Sequence, residues 1–149
     1  MTADSPRLRE LPDPAATERL AAEVVSVTRP GDAILLSGPL GAGKTVFARA
    51  FLREASGDPD LEVPSPTFTL VQSYATRLGM VHHFDLWRLS GAPDLAELGW
   101  DSAREGVVLV EWPDRLAHLS PPDALNVTIC LIGETSRAAE LRGWEERLR

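Results

Sequence analysis

Residues 33–56 read AILLSGPLGAGKTVFARAFLREAS, and this stretch decides the fold. Ala33-Ile34-Leu35-Leu36 is apolar without interruption, the pattern of a short strand covered on both faces. Glycine-rich residues 38–43 follow, and from Lys44 the period changes to that of a helix. Val46, Phe47, Ala50 and Phe51 share one side of it, and Gly57 stops it. The segment Gly38-Pro39-Leu40-Gly41-Ala42-Gly43-Lys44-Thr45 has the two-glycine, lysine and hydroxyl spacing of the Walker A loop. Glycines let the backbone curl so that successive N–H groups point inward at phosphate, and the following helix offers its positive end to the same anion. Nucleotide contacts are therefore expected at Gly38, Leu40, Gly41, Ala42, Gly43, Lys44, Thr45 and Val46. Lys44 would bridge the β- and γ-phosphates, and the Thr45 hydroxyl would ligate Mg²⁺. Val46 stands where many such loops carry a second hydroxyl, which removes one side-chain contact to the α-phosphate.

The composition agrees with this assignment. Of 15 basic residues in 149, fourteen are arginine, and Lys44 is the only lysine. A site that needs a compact ammonium on a flexible stem explains why one position stays lysine, because the planar guanidinium is no equivalent. The net charge of −7 argues against a broad nucleic-acid surface of its own. One cysteine excludes an internal disulfide. No apolar run has the length of a membrane span, and the first residues lack the plan of a signal peptide, so a cytoplasmic protein with no membrane partner is expected.

Outward from the loop, residues 14–29 place Leu20, Val24 and Val27 at helical spacing, with Asp13 as N-cap and Pro14 in the first turn. Residues 1–12 are polar and broken by proline, which reads as a loose N-terminal arm. Downstream, Phe68–Ala75 and Met80–Leu86 read as a hairpin, residues 93–105 as short helical turns, and Val107–Val110 as another buried strand. A proline-rich loop at 113–122 precedes a strand at Leu125–Ile132, and the tail has room for a further strand and a short helix. The chain reads as one α/β domain spanning 1–149, a P-loop NTPase domain with a mostly parallel central sheet flanked by helices and an antiparallel hairpin.

A nucleotide site of this type needs an acidic residue at the end of a neighbouring buried strand to hold Mg²⁺. Glu111, closing Val107–Val110, and Asp85, ending Met80–Phe84, both qualify, and which one touches the ion depends on strand order. Ser65-Pro66-Thr67 lies between the Walker loop and the acids, where a switch loop would carry a threonine sensing the γ-phosphate; an ordinary hydroxyl-rich turn fits the spacing equally. His82 and His83 are strand neighbours facing opposite ways, so they do not form a metal pair. Cys130 reads as a small buried hydrophobe. The Asn-Lys-x-Asp motif that selects guanine is missing, since Asn126 precedes Val127 and no second lysine exists, so ATP is the expected nucleotide.

Four segments now stand in order: Gly38–Thr45, Pro64-Ser-Pro-Thr-Phe-Thr-Leu-Val71, His83-Phe-Asp-Leu-Trp-Arg-Leu89 and Val110-Glu-Trp-Pro113. In identity, order and spacing they resemble the TsaE family, also called YjeE, over essentially the whole chain. The resemblance implies an ATPase that acts with TsaB and TsaD in forming threonylcarbamoyladenosine on tRNAs reading ANN codons. The tRNA would be met through that complex. It further implies Lys44 and Thr45 at phosphate and Mg²⁺, Glu111 as a Mg²⁺-site carboxylate, and Asp85 as an acid important for hydrolysis. Ser65, Pro66 and Thr67 correspond to a switch loop, and Trp112 to a tryptophan near the nucleotide. Pro14 and Thr135 fall in stretches that resemble those flanking the adenine. Trp87 departs from a frequent tyrosine. The alternative is a compact small-molecule P-loop kinase, which needs an arginine-rich lid; residues 113–122 offer only Arg115. A binding module without catalysis is disfavoured by the intact Lys44, Thr45, Asp85 and Glu111. With only Arg88 and Arg115 as arginine-finger candidates, slow turnover is expected of the isolated chain.

Overall fold

The computed structural model describes residues 6–39, 42–66 and 69–148. Leu40, Gly41 and Thr67, all expected at the site, lie outside the described residues. Seven strands form one sheet: β1 (Arg7–Leu11), β2 (Ala33–Ser37), β3 (Val71–Thr76), β4 (Gly79–Asp85), β5 (Val107–Glu111), β6 (Leu125–Leu131) and β7 (Arg137–Arg142), in the order β1-β7-β6-β2-β5-β4-β3. The four central strands β6, β2, β5 and β4 are parallel, and an antiparallel pairing closes each side. The expected parallel centre and the β3–β4 hairpin are both present.

Helices α1 (Pro14–Val27) and α2 (Lys44–Ser56) cover one face. Leu20, Val24, Phe47 and Phe51 pack there against Ile34, Leu36, Val107, Leu109 and Val127. The Asp13 side chain accepts from Ala16 N at 2.9 Å, capping α1. The other face is covered by 3-10 turns at Ala92–Leu98 and Pro113–Leu119 and a short α3 (Trp100–Ala103). Leu95, Trp100 and Leu116 bury Ala33, Leu35, Val108 and Val110 on this side. With covers on both faces, β2 and β5 are apolar at consecutive positions, as the sequence implied.

Two expectations fail, both at the β1–β7–β6 end. Residues 7–11 of the supposed loose arm are a strand paired with β7. The Arg7 guanidinium donates to the carbonyls of Gly143 and Leu148, and Arg9 forms a two-bond contact with Glu23 at 2.7 and 3.0 Å. The charged side chains that made the segment look like an arm are what fasten it. Cys130, expected inside, is exposed. On β6 the inward set is Leu125, Val127 and Ile129, and the alternate residues Asn126, Thr128 and Cys130 point to an open face, because that end of the sheet has a helix layer on one side only.

Gly38 leaves β2 with φ +138°, and a Cβ there would lie 2.1 Å from the Ile129 carbonyl oxygen of β6. Gly31, at φ +92°, has open space around it. Gly38→Ala therefore combines a backbone clash with backbone strain and is expected to lower unfolding free energy by about 3 kcal/mol, against about 1 kcal/mol for Gly31→Ala. Urea denaturation of the two variants measures the difference, and equal losses would show that the β6 carbonyl does not constrain the loop.

Candidate functional site

Parallel strands end together, and the carboxyl ends of β2, β5 and β4 bring the expected residues to one edge of the sheet. β2 delivers the chain to the glycine loop, and α2 starts at Lys44 behind Gly43, whose φ of +112° turns the backbone into the helix. β5 ends at Glu111 and β4 at Asp85, and these two are register partners. Because β4 alternates, Val81, His83 and Asp85 face the α2 side with Glu111, whereas His82 faces away.

Lys44, His83, Asp85 and Glu111 are all buried, at 5%, 0%, 5% and 2% exposure. Thr45 Oγ1 donates to Glu111 Oε1 at 2.9 Å, and His83 Nε2 lies 2.7 Å from Glu111 Oε2. Asp85 Oδ1 accepts from Trp87 N at 3.0 Å, and the Asp85 amide donates to Leu70 O at 2.9 Å. Of the two acids, Glu111 is the one in contact with the Thr45 hydroxyl. The Lys44 ammonium donates to Gly38 O and sits 3.6 Å from the centroid of the Trp112 ring. Burial pulls the Lys44 pKa below its ordinary range, and the charges of Glu111, Asp85 and Asp114 oppose that shift.

Two non-glycine residues with positive φ flank these groups, Leu70 at 68° and Trp112 at 60°. Backbone of this kind is costly for an L residue and persists where the surroundings fix it. At Trp112 it turns the chain directly after Glu111, and the indole comes back over Lys44 and against Trp87, ring centroids 4.4 Å apart.

A cleft of about 510 Å³ opens over this edge. Ala42, Gly43, Lys44, Thr45, Val46, Ser65, Asp85, Glu111 and Trp112 line one part of it. Leu11, Asp13, Pro14 and Thr17 from the start of α1, with Glu134, Thr135 and Arg137 from the β6–β7 turn, line the other. Pro14 and Thr135 therefore share a cavity with the Walker loop although they lie far from it in sequence. Pro66 is described but is not part of the wall, and its carbonyl accepts from Leu70 N. Neither arginine-finger candidate faces the cleft: Arg115 donates to Leu89 O at 3.2 Å, and Arg88 is outside the lining.

The sequence left His83 unassigned and reached Arg137 only as the end of the 133–137 stretch that resembles one flanking the adenine. His83 was set aside with His82 as a poor metal pair, yet it stands two residues before Asp85, so the strand period already placed it on the site face. Arg137 runs past Gly43, where a Cβ would meet its Cδ at 3.5 Å, and carries a positive charge into the wall opposite α2. No local pattern marks it. Chemically the cleft joins an ammonium, a hydroxyl and two carboxylates at one end to a chamber at the other that mixes Leu11, Pro14, Thr17 and Thr135 with the charged Asp13, Glu134 and Arg137, room for a phosphate chain and a flat head.

If Lys44 moves from Trp112 to bound phosphate, the indole environment changes. Adding ATP and Mg²⁺ is expected to change tryptophan emission, and Trp112→Phe is expected to remove most of that change. An undiminished response in Trp112→Phe would place the nucleotide elsewhere.

Comparison with known proteins gives a consistent result. The family described as "Threonylcarbamoyl adenosine biosynthesis protein TsaE" matches residues 11–139. A tRNA threonylcarbamoyladenosine biosynthesis protein TsaE from Rickettsia felis is 35% identical over 126 residues, covering 84% of this chain and 73% of that protein. The protein of the same description from Bacillus subtilis is 33% identical over 127 residues, covering 84% and 78%. The crystal structure of Bacillus subtilis YdiB superposes with a TM-score of 0.75 at 25% identity, covering 99% of this chain and 91% of that one.

Proposed function

Since the chain belongs to the TsaE family, a family of threonylcarbamoyladenosine biosynthesis, we propose that it works there as a Mg²⁺-dependent ATPase supporting TsaB and TsaD. The observation that carries the reading is the contact of Thr45 with Glu111 at 2.9 Å beside the buried Lys44, on the floor of a cleft large enough for a nucleotide.

The donor set suits a hard cation. Thr45 Oγ1 and Glu111 supply a hydroxyl and a carboxylate side by side. Among the described residues no group of three or more His, Cys, Asp or Glu side chains is placed to hold a metal by itself. Mg²⁺ is commonly held by one or two protein oxygens with phosphate and water completing the shell, so the pair fits it. When bound, Mg²⁺ neutralises charge on the β- and γ-phosphates as the terminal bond breaks. Lys44 gives up its place over Trp112 to meet the phosphate oxygens, and the amides of the loop hold the chain in line. Asp85, one strand from Glu111 and clear of the Thr45 contact, orients the attacking water. Ser65 in the wall, with the neighbouring Pro66 and Thr67, makes the nucleotide state visible to a partner surface. Pro14, Thr17 and Thr135 flank the base.

The kinase alternative has little support from the fold. In the 113–122 stretch that would be its lid, Pro113–Leu119 forms 3-10 turns with Leu116 fully buried and Arg115 donating to Leu89 O. The same orientation of Arg115 favours slow hydrolysis by the chain alone. No helix among the described residues is long and apolar enough to cross a membrane.

ATP turnover measured on the chain alone, and again with TsaB, TsaD and tRNA present, tests this reading. Turnover is expected to be slow alone, to rise with the partners, and to be lost in Lys44→Ala. Turnover that ignores the partners, or survives Lys44→Ala, contradicts it.

A further inference from the structure

Glu111 is held at both oxygens. Oε1 accepts from Thr45 at 2.9 Å, and Oε2 faces His83 Nε2 at 2.7 Å. His83 has no exposed surface and no established part in the site, and its other ring nitrogen, Nδ1, is buried without a hydrogen-bond partner. An ionised carboxylate only accepts, so the proton in this contact belongs to His83 Nε2. The whole polar reach of the imidazole is thus spent on one oxygen of Glu111.

We propose that His83 is a positioning residue for the ion-site carboxylate, an inference that rests on the reading of Glu111 as a Mg²⁺ ligand. The alternative partner for Glu111 is close at hand. Lys44 lies within the electrostatic reach of Glu111, and a direct pairing of the two would consume the phosphate-binding ammonium and the ion-binding carboxylate together. Instead Lys44 bonds Gly38 O and the Trp112 ring, and Glu111 is tied down on its far side by His83. With Oε2 fixed, the carboxylate plane is fixed, and Oε1 stays beside the Thr45 hydroxyl. A rigid ring on a central β strand serves this better than a long flexible donor, because its position is set by the sheet.

Mn²⁺ uptake followed by electron paramagnetic resonance, in the presence of a non-hydrolysable ATP analogue, tests the inference on native protein, His83→Leu and His83→Gln. His83→Leu is expected to weaken Mn²⁺ binding about tenfold or more, while affinity for the metal-free nucleotide is unchanged. His83→Gln, which returns an N–H near the place of Nε2, is expected to recover most of the loss. A leucine variant that holds Mn²⁺ as well as the native protein, or a glutamine variant as weak as the leucine one, overturns the inference. Native protein that takes up no Mn²⁺ with the nucleotide overturns the reading of Glu111 itself. Long-range ¹H–¹⁵N spectra of the native protein test the same point without substitution: a proton is expected on Nε2 of His83, and an Nε2 that carries none contradicts the assignment.

Discussion

A carboxylate that is 2% exposed at the end of a buried strand must find donors, because an unpaired charge in that setting is costly. Glu111 finds them on two separate elements, Thr45 on α2 and His83 on β4. Its position therefore depends on the parallel pairing of β5 with β2 on one side and β4 on the other. A shift of β4 by one residue would turn His83 to the opposite face, and a shift of β2 would move the start of α2, and with it Thr45, along the sheet. The contact is at once a structural tie between three elements and the centre of the site.

The remaining charges are arranged around that tie. Lys44 is buried within the electrostatic reach of Glu111, Asp85 and Asp114, yet its ammonium rests on an aromatic face and a backbone carbonyl. The left-handed backbone at Trp112 makes this possible by returning the indole over the loop within one residue of Glu111. At the other end of the cleft, the antiparallel β1–β7–β6 layer brings the start of α1 and the β6–β7 turn against the Walker loop. The edge strands are thus part of the binding chamber as well as the border of the sheet.

How far the sequence could be read follows from the range of each interaction. The β2–loop–α2 unit was legible because its strand, glycines, lysine and helix are contiguous and each obeys a local rule. The Asp13 cap of α1 was legible for the same reason. β1 was not, because its partner β7 lies more than a hundred residues downstream and its alternation is carried by Arg7 and Arg9, whose value lies in contacts to the C-terminal segment and α1. Cys130 was misjudged because burial on both faces depends on which helices cover that end of the sheet, and no strand encodes it. At the site, both acids were visible as strand-closing residues, but the choice of Glu111 as the partner of Thr45 needed the strand order. His83 lay within reach of the strand period once Asp85 was placed.

The central claim is that Thr45 and Glu111 together form the cation site over which Lys44 and the glycine loop hold a nucleotide's phosphates. Crystals of the chain grown with Mn²⁺ and a non-hydrolysable ATP analogue test it most directly, through the anomalous signal of the ion. The account predicts the Mn²⁺ peak beside Thr45 Oγ1 and the Glu111 carboxylate, with the phosphates reached by Lys44 and the Trp112 ring no longer under the ammonium. A peak held by Asp85 away from Thr45, or phosphates that leave Lys44 on Trp112, would contradict it.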